Sequence, residues 1–263
     1  MKITALVENQ SSGEMKPKHG LALYIETAHH KLLFDVGPDG TLVENAAKAG
    51  VDLAAVDTVI LSHGHFDHGG GLKDFLTVNH TAKVYAHRDA FAAHYNKVAF
   101  VKINIGLSPK LMTHPQMVLL DGDTQIDNEL SLFTVSNTGK CHSPANDVLL
   151  EQGGKDSFRH EQNLLIGGEK PVLIMGCGHT GVVNILEKAG QAPAVCVGGY
   201  HLFNPVTKKT VPTQLLAQIA AELARYPDTA FYTCHCTGPA AYAYLQNRLP
   251  NMHYLSCGDT LEI

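Results

Sequence analysis

His63, His65, Asp67 and His68 stand within six consecutive positions, directly after the apolar run 59–61 and directly before Gly69, Gly70 and Gly71. Side chains two apart on an extended segment share a face, so His63 and His65 can converge on one cation. Gly64 leaves room between them. Asp67 and His68 fall where the chain turns into a glycine-rich loop and helix, which aims them at a second point close by. Neutral imidazole and carboxylate are ligands that divalent zinc, iron or manganese accept. One histidine here would read as a solvated turn residue, but four such groups behind a buried strand do not.

Such a cluster needs a frame, and the apolar patterning supplies short strands alternating with amphipathic helices. Strands are predicted at 2–7, 21–26, 31–35, 58–61, 83–86, 117–120 and 130–135, and again at 163–166, 172–175, 194–197, 230–233 and 253–256. Helices are predicted at 42–48, stopped by Gly50, then around 89–95, and at 182–189, 213–226 and 240–249. Residues 96–115 carry the weakest pattern and read as a flap over a cleft. No linker divides the chain, so residues 1–263 read as one domain of layered α/β type.

Composition narrows the function classes. With 44% hydrophobic and 17% charged residues the chain has ample core, which excludes intrinsic disorder. A formal net charge of −5 argues against nucleic acid or an anionic membrane as the main partner and leaves a small-molecule substrate. No apolar run reaches transmembrane length, and the polar residues soon after Met1 suit a first strand better than a secretory leader. Six cysteines without a Cys-x-x-Cys pair suggest free thiols in a cytoplasmic protein, with no separate structural zinc.

The segment 63–68, His-Gly-His-Phe-Asp-His, resembles the His-x-His-x-Asp-His motif of the metallo-β-lactamase fold superfamily. Segments 176–184 (GCGHTGVVN), 198–202 (GGYHL) and 235–238 (HCTG) resemble its dihydropterin ribofuranosyl-aminobenzene phosphate synthase-like branch, and Asp35 matches the superfamily's early aspartate. The resemblance implies a four-layered αβ/βα sandwich with a two-metal site at one edge of the sheets. It implies that His63 and His65 hold the first metal, that Asp67, His68 and His235 hold the second, and that Asp35 supports the metal loop. A third histidine should complete the first site. His160, immediately before a strand, is the choice, and His142 is the alternative. Where hydrolytic relatives place a bridging carboxylate this chain has Cys177, with His179 two residues on; Cys177 is ranked ahead of His179. His201 is the candidate for substrate contact. Strand alternation would turn Cys234 and Cys236 away from His235, as packing residues.

Two divalent ions about 3.5–4 Å apart, zinc first and iron or manganese as alternatives, lower the pKa of a shared water so that hydroxide forms near neutral pH. The expected activity is therefore metal-dependent hydrolysis of an ester, thioester, lactam or phosphoester, with Asp67 and His201 as catalytic groups. The alternatives are a di-iron redox protein and a non-catalytic metabolite-binding module on the same fold.

Overall fold

The computed structural model describes residues 1–263. Its frame is two seven-stranded sheets. Across the first run Thr260–Glu262, Lys2–Val7, Ala22–Glu26, Lys31–Phe34, Thr58–Ile60, Lys83–His87 and Met117–Leu120. Across the second run Met252–Tyr254, Ala230–Thr233, Val195–Gly198, Val172–Ile174, Gln162–Ile166, Leu130–Thr134 and Thr124–Gln125.

Period-two alternation explains why the sheets stack. Leu32 and Phe34 belong to the core shared with the second sheet, whereas Leu33 between them packs outward. Val172 and Ile174 face the same shared core, and Leu173 faces out. The outward faces are covered by helices. Thr41–Ala49 and Leu72–Val78 bury Leu42, Leu72 and Phe75 on the first sheet. Val182–Ala189, Thr213–Leu223 and Pro239–Gln246 bury Ile185, Leu216, Ile219 and Leu245 on the second. The result is the expected four-layered αβ/βα sandwich.

Register decides where the site lies. Lys31–Phe34, Thr58–Ile60 and Lys83–His87 run parallel, so they end together at one edge of their sheet. Val172–Ile174, Val195–Gly198 and Ala230–Thr233 are likewise parallel, with Ile174 level with Val197 and Val197 level with Tyr232. Loops that leave the carboxyl ends of parallel strands are where ligands are bound in α/β sheets. Here those loops carry residues 61–71, 175–181, 199–202 and 234–238.

The structure departs from the patterning in several places. The helix expected around 89–95 is a short 3₁₀ turn, Arg88–Phe91, followed by a strand, Tyr95–Val98. That strand pairs with Leu149–Glu151 and with Val101–Asn104, so a distant partner overrides local helical periodicity. Residues 96–115 are accordingly a hairpin and a 3₁₀ turn, Pro109–Thr113, and Asn96 and Ile105 line the cavity described below. Thr260–Glu262, unmarked by pattern, returns to pair with Lys2–Thr4. All six cysteines are free, and no helix is long and apolar enough to cross a membrane.

Candidate metal centre

Hydrogen bonds fix which nitrogen of each histidine is free to bind. Asp35, buried and held in left-handed backbone at φ 61°, accepts from the Ser62 N–H at 2.7 Å and, through its other oxygen, from the Ser62 hydroxyl at 2.7 Å. That same oxygen accepts from His68 Nδ1 at 2.6 Å. Ser62 has spent its only proton on Asp35, so its oxygen accepts from His63 Nδ1 at 2.8 Å. His63 and His68 therefore carry protons on Nδ1 and turn bare Nε2 atoms inward.

Two asparagines repeat the device. Asn9 donates to the His235 carbonyl at 3.1 Å, which identifies its oxygen as the atom 3.0 Å from His235 Nδ1. Asn146 donates to the His179 carbonyl at 2.9 Å and accepts from His179 Nδ1 at 2.9 Å. His179 is further held by Phe158, stacked at 4.5 Å, and by the Glu161 carboxylate, which accepts from the His179 and Thr180 N–H groups and the Thr180 hydroxyl. Its Nε2 is buried without a partner.

These atoms converge as two neighbouring groups. His63 Nε2 lies 3.0 Å from His65 Nδ1, and His179 joins them with all three ligand atoms within 4.8 Å of one another. His68 Nε2 lies 3.2 Å from both His235 Nε2 and Cys177 Sγ. Asp67 Oδ2 is 3.3 Å from His235 Nε2 and 3.9 Å from His68 Nε2. Lone pairs facing one another at these distances require positive charge between them. Without a metal a proton takes that place: burial opposes it, yet Asp35 and Asp67 raise the His68 pKa to about 9. Burial likewise opposes ionisation of Asp67, but His68 and His235 hold its carboxyl well below the usual range. Burial, reinforced by neighbouring imidazoles, pushes His63, His65 and His179 well below the ordinary histidine value, which keeps them neutral. Burial pushes the Cys177 thiol up, a preference that a coordinating metal reverses. The donor set of imidazoles, one carboxylate and one thiol fits two divalent ions.

His63, His65, Asp67, His68, Cys177 and His235 are brought together, and His201 stands beside them, its ring 4.3 Å from that of His179. His160 meets this group only through His65, its ring 5.7 Å away, in an adjoining cluster with His94 and Asp156. The Gly64 N–H donates to its Nδ1 at 3.0 Å, so the proton is on Nε2 and points at Asp156, 3.2 Å away. The histidine whose ligand atom lies with those of both His63 and His65 is His179. The alternative, His142, is exposed and 3.8 Å from Asp147. Cys236 also departs from expectation. The strand ends at Thr233, and His235 adopts φ 50° in a 3₁₀ turn, so Cys236 reaches the cavity beside Cys177 while Cys234 stays in the core.

His19 went unnoticed in the sequence because nothing in its spacing marks it. It lies 3.4 Å from Asp67, with its ring 4.9 Å from that of His235. A buried network of His94, Asp156 and His160 backs His65, with Asp156 Oδ2 2.9 Å from His94 Nδ1 and 4.0 Å from His65 Nε2.

Gly64 does not serve to separate His63 from His65. A Cβ there would lie 2.3 Å from the Ala90 carbonyl oxygen and 2.8 Å from His94 Nε2. Gly64→Ala is therefore expected to displace the loop backbone, lowering stability by about 1–3 kcal/mol and weakening metal retention. Urea unfolding and elemental analysis of the purified variant check both.

A cavity of about 310 Å³ opens over the ligands, lined by His65, Asp67, Cys177, His179, His201 and His235 on its floor. It is of a size that takes a small molecule.

Comparison with known proteins agrees with this fold. A protein of Methanocaldococcus jannaschii of unassigned activity is 26% identical over 267 residues, covering 99% of this chain and 100% of the relative. From the same organism, 7,8-dihydropterin-6-methyl-4-(beta-D-ribofuranosyl)-aminobenzene-5'-phosphate synthase is 24% identical over 270 residues, 90% of this chain and 88% of the relative. The crystal structure of a metal-dependent hydrolase of the beta-lactamase superfamily superposes with a TM-score of 0.82 at 24% identity, covering 100% of this chain and 99% of that one. The family model for the metallo-beta-lactamase superfamily matches residues 15–188, which contain the 63–68 motif and both Cys177 and His179. With that match spanning most of its length, the chain belongs to the metallo-beta-lactamase superfamily.

Proposed function

We propose that the protein is a metal-dependent hydrolase acting on an ester, thioester, lactam or phosphoester of a small molecule. Its first metal would be held by His63, His65 and His179, and its second by Asp67, His68, His235 and Cys177. The observation that carries this reading is the opposition of His68 Nε2, His235 Nε2 and Asp67 Oδ2 around one point, with the unpartnered His179 Nε2 beside it.

Two divalent ions bound there would supply Lewis acidity and an activated water. The remaining steps fall to the chain. Asp67, ionised and at the cavity floor, accepts a hydrogen bond from the attacking water and so orients it. His201 projects from left-handed backbone at φ 47°, anchored by Ser143 donating to its carbonyl. Its Nδ1 is buried and unpartnered, placed to give a proton to the departing oxygen, nitrogen or sulfur. Phe66 and Ile105, which follows the hairpin strand Val101–Asn104, line one wall of the cavity.

Elemental analysis of protein purified without added metal tests the reading, together with hydrolysis of ester, thioester and phosphoester panels. About two zinc or manganese per chain is expected, with turnover abolished by a chelator and restored by metal. Cys177→Ser should lower the occupancy of the second site by about 10- to 100-fold in affinity. Two iron per chain with reversible optical changes and no hydrolysis would replace this reading with the redox one. Absence of metal after reconstitution would end it.

A further inference from the structure

The cavity is lopsided in a way that hydrolysis alone does not demand. Beyond the ligands its wall is largely apolar, built from Phe66, Ile105, Val148, Leu149, Phe203 and Pro205 and interrupted by Asn96 and Asn204. Phe66, inside the metal motif itself, is 44% exposed, a large apolar surface at a cavity mouth. The charged side chains on the lining, histidines aside, are two. Asp67 is on the floor, committed to the metal ligands, and Lys208 is at the rim. Lys208 is exposed and, like many of the chain's lysines, is in no ion pair, but it is the one cationic side chain, histidines aside, on this lining.

The segment carrying Lys208 is built with care. Lys208 adopts φ 56°, left-handed backbone that a residue with a Cβ enters rarely and that clusters at ligand sites. Asn204 Oδ1 accepts from the Val206 and Thr207 N–H groups at 2.9 and 3.0 Å, which shapes the turn between Phe203–Asn204 and Lys209–Thr210. The hairpin is seated on the loop of the second metal. Leu202 N–H donates to the Cys236 carbonyl at 3.1 Å, and a Cβ at Gly238 would lie 2.5 Å from Phe203 Cβ. The lysine is thus tied to the backbone that carries His235.

We propose that this hairpin selects substrates in which a small apolar body carries an anionic oxygen group, carboxylate or phosphate, at the end remote from the bond cleaved, with Lys208 reading that charge. The proposal rests on the metal-dependent reading above and deepens it by naming the substrate class. An apolar wall alone would take any lipophilic ester. A lone ammonium on a flexible stem adds recognition of an anion and tolerates either planar or tetrahedral geometry.

The test uses the metal-loaded full chain and three probes that share one metal-binding head: benzohydroxamate, its carboxy derivatives and its phosphono derivatives, each substituted meta or para. Calorimetric affinities are compared for the wild-type protein, Lys208→Gln and Lys208→Arg. An anionic derivative is expected to bind wild type about five- to tenfold more tightly than benzohydroxamate, the yield of a charge-assisted hydrogen bond at a partly exposed site. Lys208→Gln should equalise the affinities with metal content unchanged, and Lys208→Arg should keep most of the preference. The larger of the two gains tells carboxylate from phosphate. No advantage for either anion in wild type, or an advantage that survives in Lys208→Gln, would overturn the proposal. Failure of benzohydroxamate itself to bind the loaded chain would remove the metal reading beneath it, a result recognisable because all probes then fail alike.

Discussion

His179→Ala is expected to strip one metal equivalent from the protein and to reduce hydrolysis on the order of 10³-fold, the rate equivalent of several kcal/mol of lost transition-state stabilisation. His179 Nε2 is a buried nitrogen with no hydrogen-bonding partner, and its Nδ1 is already engaged by Asn146, so the substitution deletes a ligand atom from the first group. The matched variant is His160→Ala. That ring accepts from the Gly64 N–H and approaches Asp156, and its loss should leave two metals in place while destabilising the fold by about 1–3 kcal/mol through the groups left unpaired. Elemental analysis and denaturant unfolding on the same two variants separate the roles. Metal lost from His160→Ala with the fold intact, and retained in His179→Ala, would reverse the assignment.

Asp35→Asn should have the second large effect. The Asp35 carboxylate accepts from Ser62 twice and from His68 once, and an amide can offer one oxygen for those three donors. His68 would lose the acceptor that keeps its proton on Nδ1, and metal affinity should fall about 10- to 100-fold. The metal-free chain reports the same interaction through pH. The folded pKa of His68, about 9, lies above the ordinary histidine value of 6.5, so its contribution is fully present below the unfolded pKa and is lost as pH rises through the folded one. Chelator-treated wild type should therefore lose up to about 3 kcal/mol of stability between pH 6.5 and 9, and Asp35→Asn should show a much flatter profile. Urea titrations at several pH values measure it. A wild-type profile flat over that range would show that Asp35 does not hold charge on His68.

Much of the architecture could be read directly from residues. Helix 182–189 and strand 230–233 appear with the boundaries expected, because apolar periodicity is strong there and Gly190 closes the helix in left-handed backbone. The convergence of His63, His65, Asp67 and His68 was equally legible, since strand geometry and a following turn fix neighbours in sequence. What sequence could not supply was the state of individual nitrogens. His160 and His179 both sit in loops at a strand end, and their difference lies in which distant group meets Nδ1. For His160 that group is an N–H donor from Gly64, and for His179 it is an acceptor from Asn146. Cys236 was misplaced because alternation was extended three residues beyond the end of its strand, across the left-handed backbone of His235. The strand Tyr95–Val98 owes its form to Leu149–Glu151, some fifty residues away, and no local window contains that partner.

The return of Thr260–Glu262 to the first sheet bears on how the chain acquires its shape. Lys2–Val7 is the second strand of that sheet, apolar along most of its length, and its outer neighbour is drawn from residues far along the chain. Until that pairing forms, one edge of the sheet is open to any other extended segment. Closing it requires joining residues about 258 apart, and contacts of that span form slowly because the loop entropy is lost before the pairing rewards it. The protein should thus pass through a late folding intermediate in which most of both sheets exist and one edge does not, the species most exposed to aggregation.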